Sequence, residues 1–167
     1  QLLSDWLLRQ KLVDIRKSAV VWRDLQQNHG DWAFNDVNLR LQNSGERHRL
    51  NGSVDLPKAI GAKLEFAMDL KGDILSGRDW SGSIYVSGLA IKPARWFKTT
   101  RHAGIDVSGG DLTMQLWSEW DRGRLLKSNG TFALENLQLQ APGARRLVVF
   151  DTIGARFALE KQDQQWW

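Results

Sequence analysis

Three histidines, His29, His48 and His102, and the carboxylates Asp106 and Asp111 are the residues here whose types could do chemistry. A histidine can move a proton near neutral pH or bind a metal, but only with partners held in reach. Each of these three lies in or beside a turn-like stretch, and none belongs to an H-E-x-x-H. No nucleophile elbow and no phosphate-binding glycine loop occurs. The histidines read as surface residues. Asp106 and Asp111 flank a Ser-Gly-Gly segment, which reads as turn chemistry rather than an acid–base pair. With no cysteine, disulfides and thiolate metal sites are excluded. Asn51-Gly52-Ser53 and Asn129-Gly130-Thr131 match the glycosylation pattern, a match that arises readily by chance. The expectation is a protein that is not an enzyme and needs no cofactor or metal.

Tryptophan is the compositional oddity, with nine against one tyrosine. Trp22, Trp32, Trp80, Trp96, Trp117 and Trp120 fall at strand ends, turns or a predicted helix. Indole is apolar with one polar N–H, so it suits boundaries between greasy surface and water or lipid headgroups. It also makes a platform for sugars, so a Trp-rich carbohydrate-binding β-sandwich module is one reading. Ordinary packing in a purely structural β spacer is another.

The charge pattern narrows partners. Net charge is +4, but 23 Lys and Arg are interspersed with 19 Asp and Glu. No basic run marks a nucleic-acid stripe, so no nucleic acid is expected. No apolar run approaches the roughly 20 residues that cross a bilayer. The chain opens on Gln1 and closes on Trp166-Trp167, and both ends read as cuts from a longer protein.

The elements that would position these residues centre on Arg47–Ile91. Leu64, Phe66, Met68 and Leu70 alternate with Glu65, Ala67, Asp69 and Lys71, the two-residue period of a strand with one apolar face. Leu50, Gly52, Val54 and Leu56 keep that period before a turn at 57–62. A third strand begins near Trp80 after the turn-rich 72–79, giving an antiparallel meander. Burying the four apolar side chains of the middle strand is worth roughly 6–12 kcal/mol. Something must cover that face.

Elsewhere, 1–10 reads as a short amphipathic helix with Leu2, Leu3, Trp6 and Leu7 on one side. Residues 12–22 read as a strand with Val13, Ile15, Ala19 and Val21 on alternate positions. A parity switch near Asn35-Asp36 predicts a β-bulge that keeps Trp32, Phe34, Val37, Leu39 and Leu41 on one side. A second is predicted near Gly88, between Ile84-x-Val86 and Leu89-x-Ile91. Pro93 opens a predicted inserted helix over 93–101, with Trp96 and Phe97 beside Lys92, Arg95, Lys98 and Arg101. A loop over 104–110 precedes Leu112, Met114 and Leu116, and strands follow over 131–139 and 147–160.

The fold class is mainly β: a curled antiparallel meander sheet of about eight strands with two short helices, in one segment spanning 1–167. Two short helices cannot cover one face of such a sheet. It must close on itself, pack on a second sheet, or curl into an open groove filled by something apolar.

The order LSDWLLRQKLVDIRKSAVVW, WAFNDVNLRLQNSGERHRLNGSVDLP, DLKGD and WSGSIYVSGLAIKPARWF resembles the amino-terminal half of the YhdP family of AsmA-like proteins. The resemblance covers nearly the whole chain. It implies a periplasmic part of a large protein anchored in the inner membrane of a Gram-negative bacterium. It further implies sheets curled into an apolar groove along which phospholipid acyl chains move toward the outer membrane. The partners would be phospholipid, neighbouring β segments of the same protein, and the membrane through parts of the chain not included here. On that reading Val54, Leu56, Leu64, Phe66, Met68, Leu70, Ile84, Val86, Leu112, Met114, Leu116, Phe132 and Leu134 line the groove. Met68 and Met114 would adapt to varied chains, and Lys92, Arg95, Trp96 and Lys98 would meet headgroups or the interface.

Overall fold

Leu64, Phe66, Met68 and Leu70 do share one face of a strand, and that strand is the fourth of a sheet built entirely from sequential neighbours. The computed structural model describes residues 2–23, 31–96, 106–140, 147–162 and 165–166. The strands are β1 (Leu12–Arg23), β2 (Asp31–Ser44), β3 (Arg47–Asp55), β4 (Lys63–Asp73) and β5 (Asp79–Ile91). They continue as β6 (Asp106–Asp121), β7 (Arg124–Gln140), β8 (Leu147–Gln162) and the two-residue β9 (Gln165–Trp166). Helix α1 spans Leu2–Arg9 and α2 spans Pro93–Trp96. Every neighbouring pair is antiparallel and the order runs β1 to β9 without a crossover.

The sheet does not close, because β1 pairs with β2 alone and β8 continues to β9. Among the described residues there is no second sheet packed on the first, so a β-sandwich is not what these strands build.

Both predicted bulges are present, but the second falls at Ala90, so Leu89, expected beside Ile91, stays on the polar side opposite Lys63 and is 51% exposed. Asp36 takes φ 45° where the β2–β3 register shifts between Asn35 and Asn38. Ala90 takes φ 48° where the β5–β6 register shifts between Gly88 and Ile91. Each extra residue restores the apolar parity, so Phe34 and Ile91 turn to the same side as Val54 and Leu64. A third bulge, at Lys17 with φ 46°, went unforeseen. It sets Val20 and Trp22, rather than Ala19 and Val21, opposite Phe34 and Trp32.

Two boundaries also differ. β6 starts at Asp106, inside the predicted loop, with an irregular register around Gly109 that lets the strand reach past Asp111. β7 starts at Arg124 rather than Thr131, because Ser128 and Gly130 occupy apolar-parity positions and hide the alternation.

The two ends of the apolar face are covered differently. At one end Leu56, Ile60 and Ile91 form the buried cluster, with Trp32, Phe34, Val54, Leu64 and Leu112 against it. The loop between β3 and β4 is pinned there: Leu56 N–H donates to Ala62 O at 2.9 Å, and Ala62 N–H to Leu89 O at 3.0 Å. At the other end α1 is held through Asn43, whose Nδ2 donates to Leu7 O at 3.0 Å and Gln10 O at 2.6 Å. Leu7 O also accepts Gln10 N–H at 3.2 Å, so Asn43 caps the last turn of α1 and the residue after it. Trp6 points outward, 55% exposed, unlike the expected inward side with Leu7.

Candidate functional site

The cross-strand registers assemble the predicted lining residues into rows on one face, since directly opposed residues share a side of the sheet. One row reads Val54, Leu64, Gly88, Met114, Phe132; the next reads Gly52, Phe66, Val86, Leu116, Gly130. A third reads Leu50, Met68, Ile84, Ser118, Ser128, and Leu70 lies opposite His48. Leu112 and Leu134 face each other beyond Ile91. The rows continue to Leu39 and Leu41 on β2 and to Ile153 and Phe157 on β8. Those four were legible by the same parity.

None of these row residues on β4 is fully buried, and Ile84, Val86, Leu116 and Phe132 are likewise half-buried. Leu56 stands apart: it is 8% exposed inside the end cluster, a packing residue rather than part of the rows. Among the described residues the buried hydrophobics are Leu41, Leu56, Ile60, Ile91 and Leu137. The middle of the apolar face is therefore only partly covered at β4 and β5, whereas Ser118 and Ser128 at the β6–β7 end of the third row are buried, 7% and 6% exposed. The edge of the Phe66 ring reaches over Gly52, where a Cβ would lie 2.7 Å from Cζ.

The proposed headgroup residues sit beside the end cluster. Lys92 Nζ lies 2.8 Å from Asp111 Oδ1, so a phosphate reaching it would compete with that carboxylate. The indole N–H of Trp96 donates to Ile60 O at 2.8 Å while the ring remains 45% exposed. The Arg95 side chain is exposed. Lys98, His29 and His102 lie outside the described residues. His48 is not a surface residue: it is 9% exposed, with Nδ1 2.7 Å from Asn43 Oδ1. Because the Asn43 amide nitrogen already donates to α1, its oxygen accepts from His48 Nδ1–H. His48 therefore supports the α1 anchor.

The opposite face is polar and carries depressions of about 380, 390, 480 and 490 Å³. On it Arg47 grips Asp69 with Nε–Oδ1 at 2.7 Å and Nη2–Oδ2 at 2.6 Å, and Arg49 Nε adds a contact at 3.2 Å. Hydrogen bonding from Arg47, helped by Arg49, lowers the Asp69 pKa to about 2. On the same face Tyr85 and Trp117 are directly opposed, with ring centroids 5.0 Å apart. Trp80 and Trp120, 5.6 Å apart, lie instead on the apolar side, opposite Gly72 and Gly82, and Trp120 Nε1–H donates to Ser118 Oγ at 2.9 Å.

Among the described residues no group of three or more His, Cys, Asp or Glu could hold a metal, and no helix is long and apolar enough to cross a membrane. No curated protein and no solved structure matches the chain. A family model described as YhdP protein matches residues 1–167. With that match running the length of the sequence, the chain belongs to the YhdP family, which is associated with lipid transport and the cell envelope.

Proposed function

We propose that this segment is a non-enzymatic wall of an apolar path, along which phospholipid acyl chains pass through the periplasm toward the outer membrane. The rest of an inner-membrane-anchored protein supplies the ends of that path. One observation supports the reading: rows of apolar side chains that run from β3 to β7 on one face and are only half-buried at Leu64, Phe66, Met68, Ile84, Val86, Leu116 and Phe132. Hydrocarbon gains roughly 0.8 kcal/mol per CH₂ buried there. Many similar weak contacts suit sliding better than one deep pocket does. Met68 and Met114, unbranched and adaptable, accept chains of different shape. The headgroup stays in water, and Arg95 offers an exposed cation beside the end cluster, next to Trp96.

A photoreactive amino acid placed at Phe66 or Met68 of the full-length protein in cells is expected to capture phospholipid. Capture only from Glu65 and Asp69, on the polar face, would overturn the proposal. Met68→Asp is expected to fold yet to fail in supplying outer-membrane lipid. Purified protein that carries no lipid in native mass spectrometry would favour a structural spacer instead.

A further inference from the structure

The polar face carries a second arrangement that lipid passage does not use. Two adjacent cross-strand rows cross β3 to β7. The first reads Asn51, Ala67, Tyr85, Trp117, Asn129; the second reads Arg49, Asp69, Ser83, Glu119, Lys127. Together they line the depression of about 380 Å³. Four strand spacings separate Asn51 from Asn129, roughly 19 Å. The rows lie two residues apart along the strands, roughly 7 Å.

The two rows divide the work of recognition. Ala67 and Ser83 are small and exposed, so they form a floor. Tyr85 and Trp117 stand beside it as a tilted aromatic pair, with interplanar angle 41° and Trp117 43% exposed. The side chains of Asn51, Asn129, Glu119 and Lys127 have no intramolecular hydrogen bond or ion pair among the described residues, so their donors and acceptors are available. Asp69 is fixed by Arg47 and Arg49 and keeps its carboxylate ionised.

That combination selects a ligand class. A fatty chain needs continuous apolar walls, and here each aromatic is flanked by polar groups. A nucleic acid needs uniform positive charge, and Asp69 and Glu119 would repel its phosphates. An extended peptide adds to a free strand edge, and these are inner strands whose backbone groups are already paired. A sugar ring has an apolar C–H face that lies on an aromatic plane. Its rim of hydroxyls matches amide, carboxylate and ammonium groups. We propose that the Tyr85–Trp117 depression binds an oligosaccharide, with the chain of sugars laid across the strands from Asn51 to Asn129.

The site lies on the other face from the lipid path, so it can hold or fail independently of that proposal. The test is calorimetry and saturation-transfer NMR on the protein with three soluble probes: chitotetraose, maltotetraose and cellotetraose. At least one is expected to bind at millimolar concentration or below, with Trp117 and Tyr85 resonances perturbed. Trp117→Ala is expected to weaken that binding at least tenfold, and Asn129→Ala severalfold, whereas Trp22→Ala, at an exposed tryptophan outside the depression, leaves it unchanged. Trp117→Phe, which keeps an aromatic face, is expected to retain most of the affinity. No heat and no saturation transfer with all three probes would overturn the assignment. So would unchanged affinity in folded Trp117→Ala and Asn129→Ala proteins.

Discussion

The indole nitrogen of Trp96 reaches back to the carbonyl of Ile60 at 2.8 Å, and the same carbonyl accepts Lys92 N–H at 2.9 Å. One oxygen thus ties the β3–β4 loop to the end of β5 and to α2. Because Ile60 O keeps the Lys92 bond, Trp96→Phe is expected to cost only about 0.5–1.5 kcal/mol. Urea unfolding monitored by circular dichroism measures it. A loss above 3 kcal/mol would mean the indole does more than latch the loop.

Ile60 and Met68 separate a dry cluster from a partly covered surface. Ile60 is 1% exposed, so Ile60→Ala is expected to destabilise by about 2–5 kcal/mol. Met68, half-buried on the partly covered rows, is expected to lose about 1 kcal/mol or less on change to Ala. Equal losses at the two sites would show a sealed core in the middle of the face and would count against the lipid path.

Gly52 is needed for close approach. A Cβ there would lie 2.7 Å from Phe66 Cζ and 2.9 Å from the Asn38 carbonyl oxygen, and the backbone oxygen cannot swing away. Gly52→Ala is expected to cost about 1–3 kcal/mol. Pairing it with Phe66→Leu should recover part of that loss in a double-mutant cycle. Strict additivity would show that the ring does not lie over position 52 in solution.

Asp69 gives the fold an acid dependence of known sign. Its folded pKa of about 2 lies below the ordinary 3.8, chiefly through the Arg47 hydrogen bond. A depressed carboxylate stabilises the fold above its unfolded pKa and loses that contribution as pH falls through the folded value. The Asp69 side chain is 36% exposed, so solvent screening holds the contribution to about 1 kcal/mol or less. Between neutral pH and about pH 2, Asp69→Asn is expected to lose less stability than the parent. Identical urea midpoints against pH for the two proteins would remove the ion pair from the account.

Much of the sheet was readable because its strands are long and half-exposed, so the period of two is clean from Leu64 to Leu70 and from Leu112 to Leu116. The bulges at Asp36 and Ala90 were readable because polar or small residues separate two apolar parities. The bulge at Lys17 was not, since Ala19, Val20, Val21 and Trp22 are apolar on both parities and give no preference. His48 looked like a turn residue beside Gly45-Glu46, yet it holds the apolar parity of Leu50, Gly52 and Val54. The polar depression could not be read at all. Asn51 and Asn129 become ends of one row only after four strand registers are fixed.

The unbroken neighbour-to-neighbour strand order also dictates how the molecule is made. Each hairpin needs only the one preceding it as a template, so closure of long loops never precedes a rewarding contact. Strand pairing itself therefore needs no long loop to close, whereas the end cluster still joins Trp32 on β2 to Leu112 on β6. Lengthening such an object by another hairpin asks nothing of the hairpins already laid down.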